Sequence, residues 1–200
     1  MIIAIEGLIG IGKSSLQALF LERYNCHCHF QNFAAHPYLE NFYNNPYQYR
    51  LSKEMIFLFM DFQELLTQKN SQELIVVDYT LEKSNVFAKS NLTKEEYSTV
   101  FLPSFEFLLN ALTPPDYIIY LFASIETVKS RIIKRNRPME RQIIESYLKN
   151  IEKNYKLFLS KKRNLILIDV DKDFLMSDSH GNNIFEELEK KIPYLNTYIK

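Results

Sequence analysis

Short unbroken apolar runs alternate along this chain with longer stretches in which apolar residues return at helical spacing, the pattern of strands and helices taken in turn. Ile2 to Ile5 reads as a buried strand and Lys13 to about Tyr24 as a helix. A second strand fits His27 to Phe33. His36-Pro37 should open a short helix, because proline suits a first turn, with Tyr38, Leu39, Phe42 and Tyr43 as its apolar face. Asn44-Asn45-Pro46 signals a turn. Beyond it, Leu51, Met55, Leu58, Phe59, Phe62, Leu65 and Leu66 mark a long helix from about Tyr47 to Lys69. Leu74 to Asp78 is a buried strand that ends in a carboxylate, where a parallel sheet places functional groups.

Thr80 to Lys89 has helical spacing. Thr93-Lys94-Glu95-Glu96 is a capping box, and its helix should run to about Leu112, where Thr113-Pro114-Pro115 stops it. Tyr117 to Phe122 is the fourth strand. Ser124-Ile125-Glu126-Thr127 caps a helix that runs into Lys129, Arg131, Lys134, Arg135 and Arg137. Pro138 breaks it, Glu140 to Leu159 resumes as helix, Leu165 to Val170 is the fifth strand, and Asn183 to Lys191 is a last helix. Ser177 to Asn183 reads as a mobile surface loop. Strands alternating with helices imply the α/β class: a five-stranded parallel sheet with right-handed crossovers and helices on both faces. With no repeat, low-complexity tract or second apolar pattern, residues 1–200 read as one domain.

Apolar residues make up 46% and aromatics 14%, which excludes disorder over most of the length. Lysine plus arginine equals aspartate plus glutamate at 24 each, so no overall field draws the molecule to nucleic acid or to an anionic membrane. No apolar run approaches a membrane span, and Glu6 and the glycines interrupt a signal-peptide reading, so the cytoplasm is the expected compartment. Cys26-His27-Cys28-His29 invites a zinc reading, but on a strand successive side chains diverge to opposite faces, and a bridge between the two cysteines would be strained.

The chemistry starts at Gly7-Leu8-Ile9-Gly10-Ile11-Gly12-Lys13-Ser14, which fits the phosphate-loop pattern G-x-x-x-x-G-K-[ST] between a strand and a helix. Glycines let the backbone wrap an anion and aim its N–H groups inward, and the helix N-terminus adds a favourable dipole. The phosphate ligands are therefore expected from Gly7, Leu8, Ile9, Gly10, Ile11, Gly12, Lys13, Ser14 and Ser15, with Lys13 reaching the outer phosphates and Ser14 holding Mg²⁺. Asp78, at the end of a strand beside the loop strand, is the expected second metal ligand.

With the loop, Asn45-Pro46-Tyr47-Gln48-Tyr49 leading into a helix with Glu54, Asp78-Tyr79-Thr80 with Lys83-Ser84 and Phe87-Ala88-Lys89, and Arg131 to Arg137 followed by Glu140, the sequence resembles the deoxyribonucleoside kinases, especially their small bacterial branch. The resemblance implies a phosphate-loop kinase fold with an arginine-rich lid at about 134–140. It implies transfer of the γ-phosphate of ATP to the 5′-hydroxyl of a deoxynucleoside, with Mg²⁺, in a homodimer joined through long helices. It places Arg131, Arg135 and Arg137 on phosphate, Lys13, Asp78, Arg135 and the position of Gln31 at the reaction centre, and Gln31, Tyr43, Glu54, Asp78, Tyr79, Ser84 and Glu140 around the nucleoside, with Glu140 at the sugar 3′-hydroxyl. Phosphoryl transfer rests on positioning and charge neutralisation, and the planar arginine fork binds two phosphate oxygens at once, so an arginine cluster agrees with that chemistry. An ionised Glu54 only accepts hydrogen bonds and favours a base edge rich in donors, which leans towards purines. Phe33, Tyr43, Phe59 and Phe87 are candidates for stacking on the base.

One position departs from the pattern. The family carries a glutamate that takes the 5′-hydroxyl proton, and here Gln31 stands in its place, an amide that cannot act as a base. Asp78, Glu82 or His36 are the substitutes within reach in sequence. The departure admits a second reading, a catalytically impaired nucleotide-binding partner in a heterodimer with an active paralogue. A third, a thymidylate-type monophosphate kinase, would need cationic groups for the acceptor phosphate near Asp78, and Tyr79 stands where an arginine is common.

Overall fold

The computed structural model describes residues 1–31, 33–67, 73–172 and 178–200. Five strands, β1 (Ile2–Gly7), β2 (Cys26–His29), β3 (Leu74–Val77), β4 (Tyr117–Phe122) and β5 (Leu165–Asp169), form one sheet in the order β2-β3-β1-β4-β5. Every pairing is parallel, with Ala4 opposite both Val77 and Ile118. From Ile3 to Gly7 successive residues of β1 are buried, so the strand is covered on both faces, as the unbroken apolar run requires. No helix among the described residues is long and apolar enough to cross a membrane.

The helices are α1 (Lys13–Arg23), α2 (Leu39–Asn44), α3 (Pro46–Leu66), α4 (Leu81–Asn91), α5 (Lys94–Glu96), α6 (Leu102–Leu109), α7 (Ile125–Arg135), α8 (Glu145–Leu159) and α9 (Asp178–Lys191). The main core is the sheet with Leu16 and Phe20 of α1, Val128 of α7, Leu148 and Ile151 of α8 and Leu188 of α9 packed on it. A second cluster, Leu58, Leu81, Ala88, Phe101, Phe105 and Leu108, joins α3, α4 and α6.

Several expected boundaries move, each for a local reason. β2 begins at Cys26 and ends at His29, ahead of the expected Phe33, and Phe33–Ala35 forms a 3₁₀ turn. The short helix begins at Leu39 and not at His36-Pro37, because His36 is drawn inward: its Nδ1 accepts from the Tyr38 N–H at 3.2 Å and its Nε2 meets the Lys53 carbonyl at 3.0 Å. The expected end of α3 at Lys69 lies outside the described residues. The helix opened by Thr93 has the foreseen capping box but widens into a π turn at Tyr97–Phe101 before α6. Pro103 explains this, since proline offers no N–H to the carbonyl four residues back, at Thr99, and its ring needs room there. α7 stops where Asn136 turns left-handed at φ 52°, its N–H reaching the carbonyls of Ile132 and Ile133. Helix does not resume at Glu140; Pro138–Glu140 is a 3₁₀ turn and α8 starts at Glu145. α9 begins at Asp178, so helix replaces the loop expected to Asn183, while Ser177 lies outside the described residues.

On β2 the alternation holds. Cys26 and Cys28 bring their sulfurs to 4.0 Å on one face, while His27 pairs with Glu73 at 2.7 Å and His29 lies 3.6 Å from Glu64.

Candidate active site

The C-terminal ends of β1 and β3 lie side by side, and there the chain leaves β1 through the glycine loop and β3 through Asp78. Gly10 and Gly12 have φ of 77° and 114°, a conformation that glycine adopts without penalty. Gly10 also lies so close to α7 that a Cβ would meet Ile132 Cγ1 at 2.6 Å. Lys13 folds back and donates to the carbonyls of Gly7 and Leu8, both at 3.2 Å. Burial lowers its ammonium to about 8, with Lys83 and Arg135 pushing the same way and Asp78 and Glu6 opposing.

Loop, strand ends and helices enclose a cavity of about 800 Å³. Of the expected site residues, Ile9 to Ser15, Gln31, Tyr43, Glu54, Asp78, Ser84, Arg131, Arg135, Arg137 and Glu140 all line it. At its floor, Ser14 Oγ donates to Asp78 Oδ2 at 3.3 Å, and the buried Asp78 Oδ1 has no hydrogen-bond partner. A buried carboxylate oxygen left open beside a hydroxyl suits a hard divalent cation. Below it Glu6, fully buried, accepts from the Thr80 N–H at 2.6 Å, Thr80 Oγ1 at 2.8 Å and Tyr155 Oη at 2.9 Å, and burial raises its pKa.

Where α7 ends and the 3₁₀ turn after it begins, the cavity wall is a knot of opposite charges. Arg135 binds the buried Glu140 through Nε at 3.1 Å and through Nη2, and Arg137 approaches the same carboxylate at 3.5 Å while its guanidinium lies 5.5 Å from the Phe33 ring centre. Arg131 also lines the cavity. Its Nη1 donates to Ile11 O at 3.0 Å and its Nη2 to Val170 O at 2.6 Å, bracing the loop against the end of β5.

The opposite wall of the cavity is set by α3 and α4. Lys53 donates to Glu54 Oε1 at 2.6 Å and lies 4.6 Å, 5.4 Å and 5.6 Å from the rings of Phe42, Phe57 and Phe87. Asn91 donates to the same Glu54 oxygen at 2.5 Å. Tyr43 lies in the field of both Glu140 and Glu54, and burial raises its phenol further. Phe33, Tyr43 and Phe87 line the cavity, but Phe59 is 51% exposed and outside it. Tyr79 is also outside, fully buried, with its hydroxyl on Glu64 at 2.6 Å. Glu82 turns away to Lys162 at 2.5 Å, and both ring nitrogens of His36 are engaged, which removes two substitutes for the missing glutamate.

Sequence reasoning missed Lys53, Phe57, Asp61 and Tyr147, all of which line the cavity. Glu54, Phe57 and Asp61 stand at i, i+3 and i+7, one face of a helix, so a polar face crossing the apolar stripe of α3 was the available signal. Asp61 is 2% exposed; burial raises it to about 6, although Lys83, Gln31 and Ser84 hold it down.

Known proteins share this arrangement. The chain is 29% identical over 204 residues to the deoxyguanosine kinase of Bacillus subtilis (strain 168), spanning 95% of this chain and 97% of that one. It is 28% identical over 201 residues to a deoxyadenosine/deoxycytidine kinase of the same organism, spanning 96% and 93%. The structure of deoxyadenosine kinase from M. mycoides with the products dCMP and dCDP bound superposes with a TM-score of 0.84 at 26% identity, covering 95% of this chain and 100% of that one. The family model for deoxynucleoside kinases matches residues 3–193, nearly the whole length over which the loop, Asp78 and the arginines were traced, and the chain belongs to the deoxynucleoside kinase family.

Proposed function

We propose that this kinase transfers the γ-phosphate of ATP to the 5′-hydroxyl of a purine deoxynucleoside, deoxyguanosine ahead of the others. The observation that carries the reading is the open Asp78 Oδ1 beside Ser14 and Lys13, in one cavity with Glu54. With Glu54 Oε1 held by Lys53 and Asn91, Oε2 is left to meet the base, and guanine offers two adjacent donors on its Watson–Crick edge. The Bacillus subtilis relative that is named a deoxyguanosine kinase supports the same choice.

Ser14 Oγ and Asp78 Oδ1 would hold Mg²⁺, which would supply positive charge to offset the negative charge of the phosphates. Lys13 leaves the carbonyls of Gly7 and Leu8 for the phosphates, and loop N–H groups bind the remaining oxygens. Arg135 and Arg137 exchange Glu140 for the anion, which frees the Glu140 carboxylate to accept from the sugar 3′-hydroxyl. Phe33 and Phe87 close on the base. Phe107 and Val100, 77% and 41% exposed, leave an uncovered apolar side near α6, which supports a homodimer through the long helices.

The test is labelled ATP with Mg²⁺ and a panel of nucleosides and nucleoside monophosphates. Label on deoxyguanosine is the expected result. Transfer to monophosphates alone, or to no acceptor, would overturn the proposal. Light scattering on the purified protein checks the dimer, and a monomer at micromolar concentration would count against it.

A further inference from the structure

We propose that Asp61 takes the 5′-hydroxyl proton in this chain, filling the role that Gln31 cannot. The proposal deepens the reading above and rests on it. Gln31 is a connector between two opposite charges: its Oε1 accepts from Lys83 Nζ at 2.5 Å, and its Nε2 donates to Asp61 Oδ1 at 2.8 Å. That fixes the amide, carbonyl towards the ammonium and NH₂ towards the carboxylate. A carboxylate therefore lies one hydrogen bond beyond the position where the family has its base.

The partners of the cavity carboxylates single out Asp61. Among Glu54, Asp61, Asp78 and Glu140, Glu54 is bound by Lys53, Glu140 by Arg135 and Arg137, and Asp78 turns its open oxygen to the metal position. Asp61 and Asp78 are hydrogen-bonded only by neutral donors, Asp61 by the Gln31 amide and by Ser84 Oγ at 3.1 Å and Asp78 by Ser14 Oγ, and of these two only Asp61 stands apart from the metal position. A carboxylate gripped by a cation is a poor proton acceptor, whereas one held by neutral donors in a buried site is a good one near neutral pH. The groups that face Asp61 are Gln31 after β2, Tyr79 at the end of β3, Lys83 and Ser84 from α4, and Glu64 on its own helix. Burial and Glu64 push its pKa up, Lys83 draws it down, and the balance near 6 leaves the carboxylate ionised at pH 7.

In the step itself the incoming hydroxyl displaces the Gln31 N–H at Oδ1. The proton passes to Asp61 as the 5′-oxygen bonds to Pγ, and the bond from Pγ to the β,γ-bridging oxygen breaks with its electron pair staying on the departing diphosphate. Lys83 acts as a positioning residue, holding the amide so that it presents Asp61 to the cavity.

The test is the pH profile of kcat/KM from pH 5 to 8.5 for the wild type, Asp61→Asn, and Asp61→Asn combined with Gln31→Glu, with binding of a fluorescent ATP analogue measured in parallel. The wild type should lose activity as pH falls through about 6. Asp61→Asn should lower kcat by about 10²–10⁴ while analogue binding stays within about threefold, and should abolish the acid limb. Gln31→Glu in that background should recover at least about tenfold of the loss and place the limb at lower pH. If Asp61→Asn does not fold, Asp61→Glu is read instead, and its acid limb must move from that of the wild type. An Asp61→Asn enzyme that keeps the wild-type kcat and acid limb overturns the proposal, as does a limb that Asp61→Glu leaves in place. Wild-type protein that phosphorylates no nucleoside refutes the kinase reading itself, so the two failures are told apart.

Discussion

Polyphosphate binding should draw a proton from solution onto Lys13, and the size of that uptake follows from the geometry. In the free protein the ammonium, confined beneath the loop with Lys83 and Arg135 nearby, titrates at about 8. Bound phosphate oxygens favour the charged form and restore a pKa well above the working range, so binding and protonation are linked. The free protein then carries about one-tenth neutral Lys13 at pH 7, about one-half at pH 8 and about nine-tenths at pH 9, and uptake on binding should follow those fractions. Affinity for the nucleotide should fall about tenfold between pH 7 and pH 9, or ~1.4 kcal/mol. Calorimetric titration in buffers of different ionisation enthalpy measures the uptake directly, and above pH 7.5 the nucleotide's own phosphates contribute little. Lys13→Arg provides the control, because a guanidinium stays charged across this range and should show no uptake. Uptake that is flat between pH 7 and pH 9, or that survives Lys13→Arg, would refute the reasoning.

Gly10→Ala should lower stability by about 2–4 kcal/mol, combining the left-handed backbone with the Cβ at 2.6 Å from Ile132, and adding Ile132→Ala should return part of it; an unchanged urea midpoint would contradict this. Arg135→Ala should reduce kcat at least about tenfold with a smaller change in nucleoside binding, and equal effects on both would count against the lid role. Tyr155→Phe removes the donor that Glu6 Oε2 holds at 2.9 Å and should cost about 1–3 kcal/mol in chemical unfolding; no loss would mean that Glu6 finds another partner. Asp61 is raised from 3.8 to about 6, so its contribution to stability is in place below pH 3.8 and is lost as pH rises through 6. Asp61→Asn should accordingly gain on the wild type across that window, by up to about 3 kcal/mol, read from melting curves at pH 4 and pH 7.

The elements that carry phosphate chemistry were legible because their residue types leave few conformations open. A strand, a glycine loop and a lysine at the helix start fix one local geometry, and a strand ending in Asp78 fixes its neighbour. Strands β1, β3 and β4 followed from unbroken apolar runs at the middle of the sheet, whereas β2 and β5 lie at its edges and keep exposed positions. The helix starts at Leu39 and Glu145 were not legible, because His36 is claimed by the Lys53 carbonyl 17 positions on and Glu140 by Arg135, side-chain contacts that apolar periodicity does not register. The contacts of Arg131 were out of reach for a related reason: the carbonyls of Ile11 and Val170 that it meets at the edge of the cavity lie 120 and 39 positions away. Asp61 escaped notice because a lone carboxylate among Leu58, Phe59 and Phe62 looks like a helix edge until Gln31 and Lys83 are brought to it.

The brace made by Arg131 bears on where the segment after α7 can bend. Its two bonds rivet the middle of α7 to the loop and to the exit of β5, and Gly10 nestling against Ile132 adds a second fastening one residue further on. These fastenings tie α7 to the sheet as far as Ile132. Any swing of Arg137 towards an anion therefore pivots at left-handed Asn136, while Arg135, on the last turn of α7, reaches by its side chain alone, a snap-hook more than a swinging door.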